Sequence, residues 1–231
     1  MEDSITKTNK SAKSILENAK NKLDFARKIK NENSSIFIFI DVDSTGSLEE
    51  DRIIQIEYII YSFNNDYIEY SKELCNPGIK IKFEASEVNS ITNEMIENKP
   101  LFENTNFYKI LNKNNDSSNY LIAHNIGFDL YMIEKENFLN NYTLIDTKIC
   151  SNHLLNNMSN YRLSYLKYAL GLYNISPQVI NKYKSKNIME GYALDTKVLF
   201  LELYKLVKSK FKNTDPLNVM TFITENDKIP F

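Results

Sequence analysis

Residues 34–47 read SSIFIFIDVDSTGS, and this stretch decides the fold. Ser34–Ile40 is a short, almost entirely apolar run, which is typical of a strand buried on both faces. The polar residues from Asp41 to Ser47 predict a turn just past the carboxyl end of that strand. Open α/β sheets bind ligands at this edge, so Asp41 and Asp43 are the first candidates for a functional site.

The rest of the chain alternates between strand and helix patterns. Four more strands are predicted at Arg52–Tyr61, Tyr67–Leu74, Tyr120–Ala123 and Thr143–Asp146. Helices are predicted at 83–97 (one or two), 102–112, from Asp129 to about Phe138, and at 148–157, 162–171 and 192–212. Strands first, followed by strand–helix alternation, predict the α/β class with a mixed five-stranded sheet flanked by helices.

Three regions are expected along the chain. Residues 1–33 predict an N-terminal amphipathic helical extension, because apolar side chains recur on one face of a Lys-rich segment. A basic arm for nucleic acid is the alternative interpretation. Residues 34–212 carry the predicted sheet and its helices, and residues 213–231 are interpreted as a C-terminal tail.

Composition limits the classes of function. The 231 residues carry a net charge of −2, so there is no overall attraction to nucleic acid or to an anionic membrane. This argues against a sequence-specific DNA-binding module but leaves room for an enzyme that handles phosphodiesters through bound cations. Cys75 and Cys150 cannot form a disulfide framework, and the polar, acidic start is unlike a signal peptide. A cytoplasmic location is therefore expected.

Four carboxylates lie beside apolar segments. Asp41 and Asp43 follow the first buried strand, Asp129 follows a later one, and Asp195 lies near the start of an apolar helix. Each could simply cap a turn or a helix. An ionised carboxylate in apolar surroundings is costly unless it is paired, however, and none of the four has a matching Arg or Lys directly beside it in sequence. Divalent cations are the expected partners, and oxygen ligands favour Mg²⁺ or Mn²⁺.

Two segments carry a family resemblance. Asp41–Gly46 (DVDSTG) is similar to the D-x-E-T-T-G first motif of the DEDD (DnaQ-like) 3′–5′ exonucleases, and Ala123–Asp129 (AHNIGFD) resembles their second motif, A-H-N-x-x-F-D. Further similar segments follow the family order at Asn76-Pro77, Glu84–Ile96 and Arg162–Leu166. The resemblance covers about residues 35–207.

The resemblance implies a ribonuclease H-like fold, with an exonuclease domain at 34–212. It implies hydrolysis from the 3′ end of single-stranded DNA or RNA with two Mg²⁺ or Mn²⁺ ions, release of nucleoside monophosphates, and a DNA polymerase as a protein partner. Asp41, Asp43 and Asp195 would bind the metal ions, and Asp129 would complete the catalytic set. The implied substrate-binding residues are Ser44, Thr45, Gly46, His124, Asn125 and Phe128, with His124 a structural neighbour and not a base.

The sequence departs from the family pattern at two places. Asp43 stands where the family has Glu, which keeps the charge but shortens the side chain. The third motif should contain a His as general base, whereas residues 189–195 read MEGYALD. Glu190 or Gly191 occupies the His position, and Tyr192 is a possible substitute. Two interpretations follow: an exonuclease with weakened activity, or an inactive module that binds a nucleic-acid end or a partner protein.

Overall fold

A mixed five-stranded sheet forms the centre of the protein in the computed structural model, which describes residues 35–47, 49–63, 67–182 and 190–227. The strands are β1 (Phe37–Ser44), β2 (Ile53–Ser62), β3 (Tyr67–Leu74), β4 (Tyr120–Ala123) and β5 (Thr143–Asp146). Their order is β3-β2-β1-β4-β5. β2 pairs antiparallel with both β1 and β3, whereas β4 runs parallel to β1 and β5. The predicted mixed sheet is confirmed.

Helices cover the sheet. In chain order they are α1 (Phe83–Asn89), α2 (Asn93–Ile96), α3 (Asn106–Lys113), α4 (Ile126–Glu134), α5 (Thr147–Leu154), α6 (Leu163–Ala169), α7 (Ser176–Lys182), α8 (Tyr192–Lys210) and α9 (Pro216–Asn226). The predicted helix at 102–112 is divided, because Thr105 caps α3 by accepting a hydrogen bond from the Tyr108 N–H. No helix in the described part of the chain is long and apolar enough to cross a bilayer.

Strand β1 is longer than the sequence predicted. It runs to Ser44, because its pairing with β2 continues through Asp41 and Asp43 before the register shifts. The two aspartates therefore lie inside the strand and not in the turn that follows it.

The alternation of side chains along β1 separates two cores. Phe37 and Phe39 face the core that contains α8, whereas Ile38 and Ile40 face the core that contains α3 and α4. Residues two apart in a strand point to the same face. Asp41 and Asp43 therefore continue the row of Phe37 and Phe39, toward α8.

Helix α9 lies in the segment that the sequence suggested was a tail. Pro216 occupies the first turn and Asp215 caps it, an arrangement that starts a helix firmly. Met220 of α9 is fully buried, and the Thr224 hydroxyl accepts a hydrogen bond from the Asp146 N–H at 3.0 Å. This helix and α7 were not predicted. The helix predicted within residues 1–33 lies outside the described residues.

Candidate active site

Four polar side chains share one face of the β1–β2 pair. The register places Asp41 opposite Glu57 and Asp43 opposite Gln55. The Gln55 side-chain amide donates a hydrogen bond to Asp43 Oδ2 at 2.5 Å. Asp43 thus has a neutral donor across the strand, whereas Asp41 faces a second carboxylate.

Asp129 joins this pair from helix α4. Its Oδ1 accepts a hydrogen bond from the Val42 N–H at 2.9 Å, so the carboxyl lies against the backbone between Asp41 and Asp43. Asp146 fixes the start of α4, because its carboxylate accepts hydrogen bonds from the N–H groups of Asn125 and Ile126. The end of β5 therefore positions the helix that presents Asp129.

Asp195 lies in the first turn of α8 and is buried. Lys167 of α6 forms an ion pair with its Oδ2 at 2.9 Å, and the Ser176 hydroxyl donates to Oδ1 at 3.2 Å. The expectation that these acids lack a basic partner is thus wrong for Asp195. Its lysine is distant in sequence and reaches it through the packing of α6 on α8.

Burial and mutual repulsion raise the pKa values of carboxyl groups in the cluster. Burial, with the charges of Asp43 and Glu57, raises the pKa of Asp41 to about 7. Burial also raises the pKa of Asp43 and Glu57, and it raises that of the fully buried Asp129 well above its usual value. The positive charge of Lys72 on β3 opposes this shift at Asp41, Asp43 and Glu57. Burial thus makes the charged form of each of these carboxyl groups costly.

Glu57 is a member of this cluster that the sequence interpretation missed. Its side chain is only 2% exposed, and it lies against Gly191 at the start of α8. A Cβ at position 191 would come within 2.0 Å of Glu57 Oε1. Glycine is needed here because the carboxylate fills the space that a side chain would take.

Neither of the other residues proposed for the third motif is buried in the cluster. Tyr192 is 55% exposed at the first position of α8, and Glu190 is exposed just before it. Their roles as substitutes for the missing His stay predictions. The buried acidic group next to Gly191 is instead Glu57.

The loop after β1 is closed by hydrogen bonds. Thr45 is fully buried, and its hydroxyl donates to Asp51 Oδ1 at 2.7 Å. Lys82 pairs with the other oxygen of Asp51 at 2.9 Å. The Ser44 hydroxyl donates to the Gly46 carbonyl. Both hydroxyls are engaged in hydrogen bonds within the loop. Contact of Ser44 and Thr45 with substrate stays a prediction, and it would involve their backbone or a rearranged side chain.

A groove of about 600 Å³ lies beside Asp43. Its lining includes four of the six predicted substrate-binding residues, namely Ser44, Thr45, Gly46 and Phe128, together with Lys82 and Val88 of the α1 region. Phe83 and Val88 are exposed apolar side chains of α1, at 90% and 85%. The groove thus combines an acidic end with an apolar wall.

His124 and Asn125 do not line this groove. The His124 ring bridges the Thr147 hydroxyl at 3.0 Å and the Tyr161 carbonyl at 2.7 Å, and burial lowers its pKa. This agrees with a structural role for His124. Asn125 adopts the left-handed conformation at the start of α4, and its side-chain oxygen accepts a hydrogen bond from Lys148 at 3.2 Å.

The donor chemistry of the cluster fits a hard divalent cation, because carboxylate oxygens are the ligands that Mg²⁺ and Mn²⁺ prefer. Within residues 35–47, 49–63, 67–182 and 190–227, no three His, Cys, Asp or Glu side chains are placed to hold a metal ion by themselves. Mg²⁺ usually takes only one or two protein carboxylates and completes its shell with water and substrate phosphates. Asp41 and Asp43 therefore suit such an ion without a closed cage.

Comparison with known proteins adds independent information. The model of the RNase T family, described as exonuclease, matches residues 38–197. The 3′-5′ exonuclease DinG of Bacillus subtilis (strain 168) is 30% identical over 154 residues, which are 63% of this chain and 16% of DinG. The PolC-type DNA polymerase III of Caldanaerobacter subterraneus subsp. tengcongensis is 28% identical over 137 residues, which are 56% of this chain and 9% of that protein. The chain spans only a small part of either relative.

Solved structures show the same fold at low sequence identity. Exonuclease X in complex with 5′ overhanging duplex DNA aligns with a TM-score of 0.52 at 16% identity, covering 80% of this chain and 99% of that one. Exonuclease I from Methylocaldum szegediense aligns with a TM-score of 0.54 at 18% identity, covering 80% of this chain and 42% of that one. Escherichia coli exonuclease I with a dA16 oligonucleotide gives a TM-score of 0.52 at 18% identity, covering 76% and 41%.

Proposed function

The chain belongs to the DnaQ-like exonuclease family, and from this premise we propose that it is a 3′–5′ exonuclease that uses two divalent cations and releases nucleoside monophosphates. One observation carries the proposal. Asp41, Asp43 and Asp129 converge where β1 meets α4, with the pKa of each carboxyl raised, and Asp195 is presented from the first turn of α8. A cluster of acids with raised pKa values beside an open groove is typical of a catalytic site.

The protein's own groups supply position and charge. Asp41 and Asp43 would hold the cations, Asp195 would complete the set from α8, and Asp129 keeps its place through the Val42 N–H. Cations held by these carboxylates would supply the activation of water and the stabilisation of the leaving oxygen. The hydrogen bond from Gln55 orients Asp43.

The groove provides a place for the end of a nucleic-acid strand. Its apolar wall, with Val88 and Phe128, suits a nucleobase, and exposed Phe83 on the same helix as Val88 offers a stacking surface. Single-stranded DNA is the first substrate to test, because the solved relatives include complexes with a dA16 oligonucleotide and with overhanging duplex DNA. The likeness to a PolC-type polymerase makes a DNA polymerase the proposed protein partner.

A second candidate function is a module that binds nucleic acid or a partner without hydrolysis. The ion pair of Asp195 with Lys167 favours it, since a lysine at 2.9 Å already offsets one of the charges that a cation would bind. The third motif also lacks His.

The test is a nuclease assay on a single strand that carries a 5′ fluorescent label. With Mn²⁺, the wild type should shorten it one nucleotide at a time, and an inverted 3′-terminal nucleotide should block the reaction. Asp41→Asn should lower the rate at least about 100-fold, the loss typical of removing one electrostatic stabiliser. Glu134→Gln on the exposed side of α4 is the matched control and should leave the rate unchanged. Equal rates for wild type and Asp41→Asn would refute the enzyme and favour the binding module.

A further inference from the structure

Asp41, which is half-buried, and Glu57, which is buried, form an acid–acid pair. They are directly opposed in the antiparallel register, which brings the Cβ atoms of facing residues to about 4.5–5.5 Å. Like charges in this position destabilise a sheet. At the next pair on the same face, the Gln55 amide donates a hydrogen bond to Asp43. A neutral donor therefore faces Asp43, whereas an acid faces Asp41 across the strand.

Glu57 also has an unsatisfied oxygen. Among the residues that the structure describes, Oε1 of Glu57 finds no hydrogen-bond partner although the side chain is 2% exposed. The N–H groups of Tyr192 and Ala193 face the carboxylate at the start of α8, and Asp195 lies in the same first turn. A buried, unpaired carboxylate oxygen is costly unless another group supplies positive charge.

We propose that Glu57 is a ligand of the divalent cation held by Asp41, a fifth carboxylate of the site beyond the four acids of the family motifs. The inference rests on the proposed function, since it assigns a further ligand to the cation that this function requires. Gly191 is part of the arrangement, because any larger residue would occupy the space of the Glu57 carboxylate. Gly191 lies at or beside the position where the family motif has its histidine, and the space that it leaves is filled by the Glu57 carboxylate from β2.

The competing explanation is that Glu57 only caps the start of α8. The two roles predict opposite effects of Glu57→Gln. If Glu57 is a metal ligand, it repels Asp41 when no metal is bound. Metal-free Glu57→Gln should then be at least as stable as the wild type, because the new amide can donate a hydrogen bond to Asp41 as Gln55 does to Asp43. A helix cap predicts a less stable metal-free variant, because a charged acceptor at the helix start is lost.

Titration with Mn²⁺ alone, followed by calorimetry and by melting temperature, separates these roles. We expect Glu57→Gln to weaken Mn²⁺ binding at least about 10-fold, the lower end of the loss for disturbing a metal site, and Glu134→Gln to bind as the wild type does. Unchanged Mn²⁺ affinity in Glu57→Gln would overturn the inference. A lower metal-free melting temperature in the same variant would then assign Glu57 to capping the start of α8. A wild type that binds no Mn²⁺ would defeat the metal-dependent function and the Glu57 ligand together. Loss of binding in Asp41→Asn but not in Glu57→Gln would defeat the Glu57 ligand alone.

A second measurement needs no variant. In crystals of the wild type soaked with Mn²⁺, anomalous scattering should place a cation in contact with the carboxylates of both Asp41 and Glu57. A cation bound by Asp41 and Asp43, with Glu57 contacting only the start of α8, would overturn the inference.

Discussion

The close approach of Glu57 to Gly191 leads to a quantitative prediction for Gly191→Ala. The new Cβ would lie 2.0 Å from Oε1 and 2.4 Å from both Cδ and Oε2 of Glu57. The carboxylate must therefore move by at least about 1 Å to reach an ordinary contact distance. The backbone adds no strain, since Gly191 has an extended φ of 178° that any residue adopts.

The expected cost follows from overpacking a buried site. Such substitutions destabilise by about 1–3 kcal/mol, which corresponds to a loss of roughly 2–12 °C in melting temperature for a chain of this size. In a Glu57→Ala background the space is empty, and Gly191→Ala should cost clearly less, since only the poorer preference of Ala for the N-cap of α8 remains. The double-mutant cycle should thus give a coupling of at least about 1 kcal/mol.

Urea unfolding of the metal-free wild type, both single variants and the double variant provides the assay. Gly78→Ala is the control, because Gly78 has a φ of +75° and no atom within 4 Å of an added Cβ. Its cost comes from the backbone and should be equal with and without Glu57. If Gly191→Ala costs the same in both backgrounds, the carboxylate does not fill the space at position 191 and the reasoning fails.

Three further predictions concern charge and buried polar groups. Metal-free protein should lose stability as the pH rises from 3.8 toward about 7, because burial and the charges of Asp43 and Glu57 raise the pKa of Asp41 in the folded state, which then binds its proton more tightly than the unfolded chain does. A melting temperature that stays level or climbs across this range would contradict the raised pKa of Asp41. Lys167→Met should increase the rise in melting temperature that Mn²⁺ produces, because it removes an ammonium group 2.9 Å from Asp195 that repels the cation. An equal rise in wild type and variant would argue against this competition. Thr45→Val should cost about 1–3 kcal/mol in urea unfolding by leaving buried Asp51 without its hydroxyl donor, whereas a cost near zero would show that the loop does not depend on this bond.

The parts of the fold that follow from local sequence were predictable. The apolar runs of β1 and β4 are buried on both faces as expected. Asp41 and Asp43 follow the apolar run within β1, and Asp129 lies in the helix that follows β4. Interactions between distant segments were not predictable in this way. The pairing of Lys167 with Asp195 depends on how α6 packs against α8. The contact of α9 with β5 includes buried Met220 and the hydrogen bond between Thr224 and Asp146, which are distant in sequence.

Glu57 shows how a local signal can stay hidden until the register is known. Gln55 and Glu57 are two residues apart in an otherwise apolar strand, IIQIEYII, so alternation alone places them on one face. Which residues they oppose depends on the pairing with β1, and a slip of one residue would turn both to the other face. The observed register sets the amide opposite Asp43 and the acid opposite Asp41. An amide in place of Glu57 would relieve the repulsion at little cost in volume, as Gln55 does one pair along. A buried acid opposite another acid lowers stability, and a shared cation gives the chain a functional reason to keep it.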